Sequence, residues 1–219
     1  MINENIKKSL DIFFLKVNQK YNIPIEQSLE IFEKIKVNDK EKIKNKGTGA
    51  GGKNTNVNGK KFENITNPEE FLISKGFCEK DNYIVNDKII YTTQNTFRCY
   101  CKKYFDIKPN RIPDEAYIKK SDDDKITIKI LEKKNQTCDG SVETKLWASP
   151  SLKREYQIYF GDKFNIEYAL CVSDFLKQKF DSNHKKYKIL KQILDENDIP
   201  VFFGNDKDYY DKLFEWINK

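Results

Sequence analysis

The stretch Lys125-Ile-Thr-Ile-Lys-Ile-Leu-Glu-Lys-Lys-Asn-Gln136 decides the fold of this chain of 219 residues. Successive side chains of a β-strand point to opposite faces of the sheet, so every second residue shares a face. One face of this stretch carries Ile126, Ile128 and Ile130, and then Glu132, Lys134 and Gln136. A face that changes from apolar to ionisable along one strand predicts a core that opens into a cleft at the strand's end.

The run that precedes this strand has the same character. One face of residues 111–119 carries Ile112, Asp114, Ala116 and Ile118. The residues between the two runs, Ser121-Asp-Asp-Asp124, favour a tight turn. An antiparallel hairpin would then bring Asp114 close to Glu132 and Lys134. The alternative is an ordinary amphipathic hairpin whose charged side chains are solvated.

Two carboxylates and a lysine at the end of such a hairpin suit the hydrolysis of a phosphodiester. Carboxylate oxygens bind hard divalent cations. A cation held there polarises a phosphoryl oxygen and lowers the pKa of a bound water. The nearby ammonium of Lys134 can position that water or stabilise the charge that develops. The pattern of Asp114 followed by Glu132-x-Lys134 therefore predicts a metal-dependent nuclease, with Mg²⁺ as the cofactor.

Composition limits the other function classes. The chain has 40 Lys+Arg against 34 Asp+Glu, a net charge of +6 that permits nucleic-acid binding without demonstrating it. Its five cysteines are widely spaced and residues 1–20 do not resemble a secretory signal, so we expect a cytoplasmic protein with reduced thiols. No apolar run is long enough to span a bilayer, so no membrane partner is expected. His184 is the only histidine, which argues against a Ser–His or Cys–His mechanism.

Three regions are predicted along the chain. Residues 1–46 form an N-terminal helical region, residues 47–59 a glycine- and asparagine-rich loop, and residues 60–219 the catalytic core. The loop nearly matches a phosphate-binding loop, but Asn54 follows its lysine where a Ser or Thr is needed. We therefore expect a linker or a DNA-contacting loop rather than an NTPase site.

The core alternates between helical and strand patterns. Helices are predicted from residue 60, with a break at Asn67-Pro68, and over 141–160, with an interruption near Ser149-Pro150. Further helices are predicted over 175–197 and 206–218, strands over 88–93, 164–172 and 201–203, and either element over 97–105. Together with the hairpin, this order predicts an α/β (α+β) fold with a mixed central β-sheet flanked by helices.

Pro113-Asp114 and Glu132-Lys-Lys134 on adjacent strands, within this order of elements, resemble the PD-(D/E)xK nuclease superfamily. The resemblance covers about residues 60–205 and implies a restriction-endonuclease-like core. The stretches at 59–63, 132–136 and 140–146 look most like small type II restriction endonucleases.

The resemblance implies roles for individual residues. Asp114 and Glu132 become the ligands of Mg²⁺, and Lys134 activates or orients the attacking water. Glu63 matches an acidic residue on the opening helix that supports the site, and Gln136 matches a polar residue two positions after the lysine. The alternatives are a solvated helix glutamate for Glu63 and a strand-end amide for Gln136.

The resemblance also implies a substrate and an assembly. Site-specific cleavage of double-stranded DNA at a palindrome calls for a homodimer, because a two-fold symmetric site is matched by two-fold protein symmetry. Candidate DNA contacts are the basic residues Lys53, Lys60, Lys61, Arg111, Lys145, Lys153 and Arg154. The alternatives are a structure-specific repair or recombination nuclease and a DNA-binding module that has lost catalysis.

Overall fold

The computed structural model describes residues 60–120, 125–137 and 142–219. These residues form a seven-stranded mixed β-sheet with helices packed on both faces, which confirms the predicted fold class. The predicted N-terminal helices, the glycine-rich loop and the turn at 121–124 lie outside the described residues.

The seven strands lie in the sheet in the same order as in the chain. They are β1 (Cys78–Lys80), β2 (Tyr83–Val85), β3 (Ile89–Thr93), β4 (Glu115–Lys120), β5 (Ile126–Lys134), β6 (Phe164–Val172) and β7 (Val201–Phe203). Neighbouring strands from β1 to β5 are antiparallel, and β5, β6 and β7 run parallel to one another. The predicted hairpin is therefore present, as the pair β4–β5.

Eight α-helical segments are described. They are α1 (described over 60–65), α2 (Glu69–Ser74), α3 (Gln94–Tyr100), α4 (Val142–Trp147), α5 (Ser149–Phe160), α6 (Asp174–Asp181), α7 (Lys185–Glu196) and α8 (Tyr209–Asn218). A π-helical turn, Cys101–Phe105, extends α3. Among the described residues, no helix combines the length and the apolar character that a membrane span requires.

Two predicted helix breaks are confirmed. Pro68 is the N-cap residue of α2, and the side chain of Asn67 accepts a 3.0 Å hydrogen bond from the amide of Glu69. The predicted interruption near Ser149-Pro150 separates α4 from α5. The segment over 97–105, for which either element is predicted, is helical. The Thr93 amide donates a 2.8 Å hydrogen bond to the Thr96 hydroxyl, and this capping box starts α3.

The prediction of one helix over 175–197 is wrong. Ser182 has an extended backbone with ψ of 152°, and this ends α6. His184 then caps α7, because its Nδ1 accepts a hydrogen bond of 3.2 Å from the amide of Lys186. A local side-chain cap therefore starts a second helix where the apolar pattern alone suggested continuity.

The sheet has one hydrophobic core on each face. Ile126, Ile128 and Ile130 belong to the first core, which α3, α5 and α7 cover, whereas Leu131 belongs to the second core, beneath α1 and α8. The predicted alternation along β5 is therefore confirmed. It places Glu132 and Lys134 at the edge of the first core and Lys133 at the edge of the second.

Candidate active site

The β4–β5 hairpin brings Asp114, Glu132 and Lys134 together. Glu115 pairs with Leu131, so Asp114, one residue earlier, lies opposite Glu132. The Nζ atom of Lys134 is 2.6 Å from Oε2 of Glu132 and 3.6 Å from Oδ2 of Asp114. The amide of Lys133 donates a 2.7 Å hydrogen bond to the same Asp114 oxygen. The sequence identified three groups that meet in space, and their catalytic roles stay predictions.

These three side chains are mostly but not fully buried. Asp114, Glu132 and Lys134 are 21%, 16% and 15% exposed. Burial, reinforced by the Asp114 charge, raises the pKa of Glu132, although Lys134 opposes this shift. Burial also disfavours the charged form of Lys134, but the Glu132 and Asp114 carboxylates together outweigh it and raise the pKa of Lys134. The ammonium is therefore held protonated at neutral pH.

A second charged pair lies on the opposite face of the same hairpin. Nζ of Lys133 is 2.5 Å from Oε1 of Glu115. The other Glu115 oxygen accepts a 2.8 Å hydrogen bond from the hydroxyl of Tyr117. Lys133 also donates to the carbonyl of Thr66, beside the end of α1, at 3.0 Å. Burial raises the pKa of Glu115, and the Lys133 charge opposes the shift.

Sequence reasoning missed this pair because it treated Lys133 only as the residue between Glu132 and Lys134. The available signal was parity. Glu115 and Lys133 both occupy the alternate positions of their strands, together with Tyr117 and Leu131, which are buried. Opposite charges at matching buried positions indicate an internal ion pair.

Two buried phenols adjoin the carboxylates. Tyr168 on β6 and Tyr156 on α5 are buried, and their hydroxyls have no hydrogen-bond partner among the described residues. Burial raises the pKa of both phenols, and the charge of Glu132 adds to the shift. Buried hydroxyls are normally paired. Both phenols are therefore protonated at neutral pH, and both lie within the electrostatic influence of Glu132.

The donors at this position suit Mg²⁺. Within the described residues there is no group of three or more His, Cys, Asp or Glu side chains that could hold a metal ion. Asp114 and Glu132 offer two carboxylates, and proteins commonly hold Mg²⁺ through one or two carboxylates with waters and phosphate oxygens completing its shell. A structural zinc site would instead need about four nitrogen or sulfur ligands.

Glu63 and Gln136 lie outside the ion-paired cluster of the three central side chains, and their supporting roles stay predictions. The Glu63 side chain is exposed on α1, and its backbone carbonyl lies 3.5 Å from Nζ of Lys133. Gln136 is buried beyond the end of β5, where its backbone amide donates to Oγ of Ser173 at 3.2 Å. In return the Ser173 hydroxyl donates to the backbone carbonyl of Gln136 at 2.9 Å. Gln136 thus links the ends of β5 and β6.

A groove of about 430 Å³ continues from this end of the sheet. Its walls include Gln136 and Ser173, Lys61 from α1, Gln178 from α6 and Asn205 after β7. The amide of Ser173 donates to the Lys134 carbonyl at 3.2 Å, so the groove begins directly beside Lys134.

The predicted DNA contacts are distributed around the sheet. Lys60, Lys61, Lys145 and Arg154 are exposed, and Lys53 lies outside the described residues. Arg111 donates to Glu155 at 2.6 Å, and Lys153 donates to the Asn197 carbonyl at 2.7 Å. The last two already have intramolecular partners, and contacts of all seven with DNA stay predictions.

Comparison with protein-family models, with curated proteins and with solved structures gave no match. The interpretation of the site therefore rests on its own residues and geometry.

Proposed function

We propose that this chain is a Mg²⁺-dependent, site-specific endodeoxyribonuclease of the restriction type, which hydrolyses phosphodiester bonds of double-stranded DNA. The observation that carries the proposal is the convergence of Asp114, Glu132 and Lys134, with the ammonium 2.6 Å from one carboxylate and 3.6 Å from the other. Two carboxylates and a charged amine in a partly open position are the groups that this reaction needs.

The charges of the site support the same substrate. Asp114 and Glu132 contribute two negative charges and Lys134 one positive charge, so these three side chains sum to −1. One Mg²⁺ and one phosphodiester together add +1 and bring the sum to zero. Mostly buried charge is costly unless it is compensated, so a divalent cation with a phosphodiester suits this position.

The chain's own residues would divide the work as follows. Mg²⁺ held by Asp114 and Glu132 would polarise a phosphoryl oxygen and acidify water. The Lys133 amide holds the Asp114 carboxylate in place through its 2.7 Å hydrogen bond. Lys134, kept protonated by the two carboxylates, can donate to the attacking water or to the oxygen on which negative charge develops.

Incubation of the purified protein with plasmid DNA and Mg²⁺ tests the proposal. We expect discrete fragments, no reaction in EDTA, and a loss of roughly a hundredfold or more in Asp114→Asn and Lys134→Met. Asp208→Asn, at an exposed carboxylate beside α8, should cut like the wild type. Absence of cleavage, or cleavage undiminished in both site variants, would refute the proposal.

A structure-specific nuclease is the second candidate. The groove beside Lys134 favours it, because a concave surface suits DNA that is distorted or partly single-stranded. Such an enzyme would cut branched substrates and give no discrete fragments from linear duplex.

Two further expectations accompany the restriction-type proposal. A palindromic site implies a homodimer, which sedimentation with and without DNA would detect. A cytoplasmic location accords with the thiols, since none of the four described cysteines forms a disulfide.

A further inference from the structure

The groove lies where parallel strands end. The segments that follow β5, β6 and β7 contribute Gln136, Ser173 and Asn205 to its walls. In sheets with parallel strands, ligands bind in the crevice beyond the carboxyl ends of the strands. A volume of about 430 Å³ falls within the usual range for ligand sites.

The lining combines aromatic and amide side chains. Phe62 and Phe175 supply aromatic rings, whereas four side-chain amides supply donors and acceptors: Asn135, Gln136, Gln178 and Asn205. The charged members are Lys61 and Asp174, which have opposite signs and cancel. A phosphate site would carry excess positive charge. Rings beside amides suit a neutral, planar group with donors and acceptors on its edge, which describes a nucleobase.

We propose that this groove binds one unstacked nucleobase of the substrate strand, beside the phosphodiester that is cut. The inference rests on the proposed nuclease function. A base inside a stacked duplex cannot enter a concave groove, so it must be single-stranded or displaced from the stack. Gln178 and Asn205 are exposed at the groove and can donate to and accept from the base edge.

The groove lies close to the candidate active site, and this limits which nucleotide of the substrate could place its base there. Ser173 binds the Lys134 carbonyl through its amide at 3.2 Å and the Gln136 carbonyl through its hydroxyl at 2.9 Å. The groove wall and the catalytic strand are thus joined by the same residue. A base held in the groove would therefore belong to a nucleotide adjoining the cut rather than to a distant part of the DNA.

Oligonucleotides that carry 2-aminopurine at successive positions test the proposal, because the fluorescence of this base rises when it unstacks. The wild-type protein is added in EDTA, so that binding is measured without cleavage, to intact duplexes and to duplexes with a short single-stranded flap. We expect a rise at one position, adjoining the cut that is mapped separately with Mg²⁺. Gln178→Ala and Asn205→Ala should each weaken binding of the flapped duplex by about fivefold or more.

The control is Gln192→Ala, which removes an exposed amide on α7 and should bind like the wild type. No rise at any position, or variants that bind like the wild type, would overturn the groove assignment. Adenosine monophosphate that competes as well as the oligonucleotide would show a mononucleotide site and overturn the assignment to a strand. A protein that cuts DNA without the rise refutes only this inference. The rise without cleavage refutes the nuclease and leaves only the binding of an unstacked base in the groove.

Discussion

The ammonium of Lys133 lies 2.5 Å from a carboxylate oxygen of Glu115, with 4% and 3% of the two side chains exposed. Each partner directly adjoins a residue of the candidate site. Glu115 follows Asp114, and Lys133 separates Glu132 from Lys134. The pair therefore fixes, from the opposite face of the sheet, the backbone that carries all three site residues.

Removing one member of this pair should be strongly destabilising. Lys133→Met leaves Glu115 charged in the interior, and we expect the free energy of unfolding to fall by about 3–5 kcal/mol. The double variant Lys133→Met/Glu115→Leu should recover most of that loss, since neither charge remains. Urea denaturation at neutral pH measures both variants.

An exposed pair supplies the control for that measurement. Asp208 and Lys212 are 2.9 Å apart, with more than half of each side chain exposed. Asp208→Asn should leave the urea midpoint unchanged, because solvated pairs contribute little. A Lys133→Met protein as stable as the wild type would contradict a positioning role for the buried pair.

Tyr168→Phe should separate stability from activity. The Tyr168 hydroxyl is buried with no hydrogen-bond partner among the described residues, so its removal should leave the free energy of unfolding unchanged or raise it by about 1 kcal/mol. If that hydroxyl donates within the working site, cleavage should fall by about tenfold. Tyr100→Phe removes a similarly unpaired hydroxyl, away from Glu132, and should cut DNA normally. Equal activity in the two variants would rule out a role for Tyr168.

Gly204 allows α1 to approach the end of β7. A Cβ atom there would lie 2.5 Å from Cγ2 of Thr66 and 2.8 Å from the Phe62 ring. We expect Gly204→Ala to lower the free energy of unfolding by about 1–3 kcal/mol. Thr66→Ser in that background removes the nearer methyl group, keeps the hydroxyl that donates to the Phe62 carbonyl, and should restore part of the loss. Thermal unfolding of the single and double variants measures this recovery. A double variant no more stable than Gly204→Ala would show that the contact with the Thr66 methyl group is unimportant.

Thiol reactivity should distinguish the cysteines by burial. Cys101 and Cys171 are buried, and burial raises the pKa of Cys171 to about 12. Because the thiolate is the nucleophile, iodoacetamide at about pH 8 should spare both in the native protein and modify both in urea. Cys78 and Cys99 are partly exposed and should react in the native state. Mass spectrometry of peptides measures how far each cysteine is modified in the native protein and in urea. Rapid labelling of Cys171 in the native protein would contradict the prediction.

The central hairpin could be predicted because β5 has isoleucine at every second position and ionisable groups at its end. Two elements could not be predicted by such periodicity. β1 and β2 have three residues each, too few for a repeating pattern. The signal for this hairpin in the sequence was the dipeptide Asp81-Asn82, whose residue types favour a tight turn. In the structure its φ angles of 53° and 67° are those of a tight hairpin.

Strand parity places Glu115 and Lys133 on one face of the hairpin, but it does not show that this face is covered. A lysine at alternate positions of a strand usually indicates a solvated face, but α1 covers the face on which Lys133 lies. That packing depends on Phe62 and Thr66, roughly seventy residues earlier in the chain. The three central residues were predictable because one hairpin holds them, whereas their support comes from distant parts of the sequence.

The chain order of the strands bears on how the protein folds during synthesis. Each strand pairs with the strand made just before it, so β1 to β5 can assemble while the rest of the chain is still emerging. Two lysines of this part depend on α8: Lys119 donates to the Asn218 carbonyl at 2.6 Å, and Lys129 to the Trp216 carbonyl at 2.7 Å. Until α8 docks, the nascent hairpin holds two lysines that lack these backbone acceptors. We therefore expect pulsed hydrogen exchange on stalled ribosomes to find β4 and β5 partly protected once β5 has emerged, and fully protected only after α8 has left the exit tunnel.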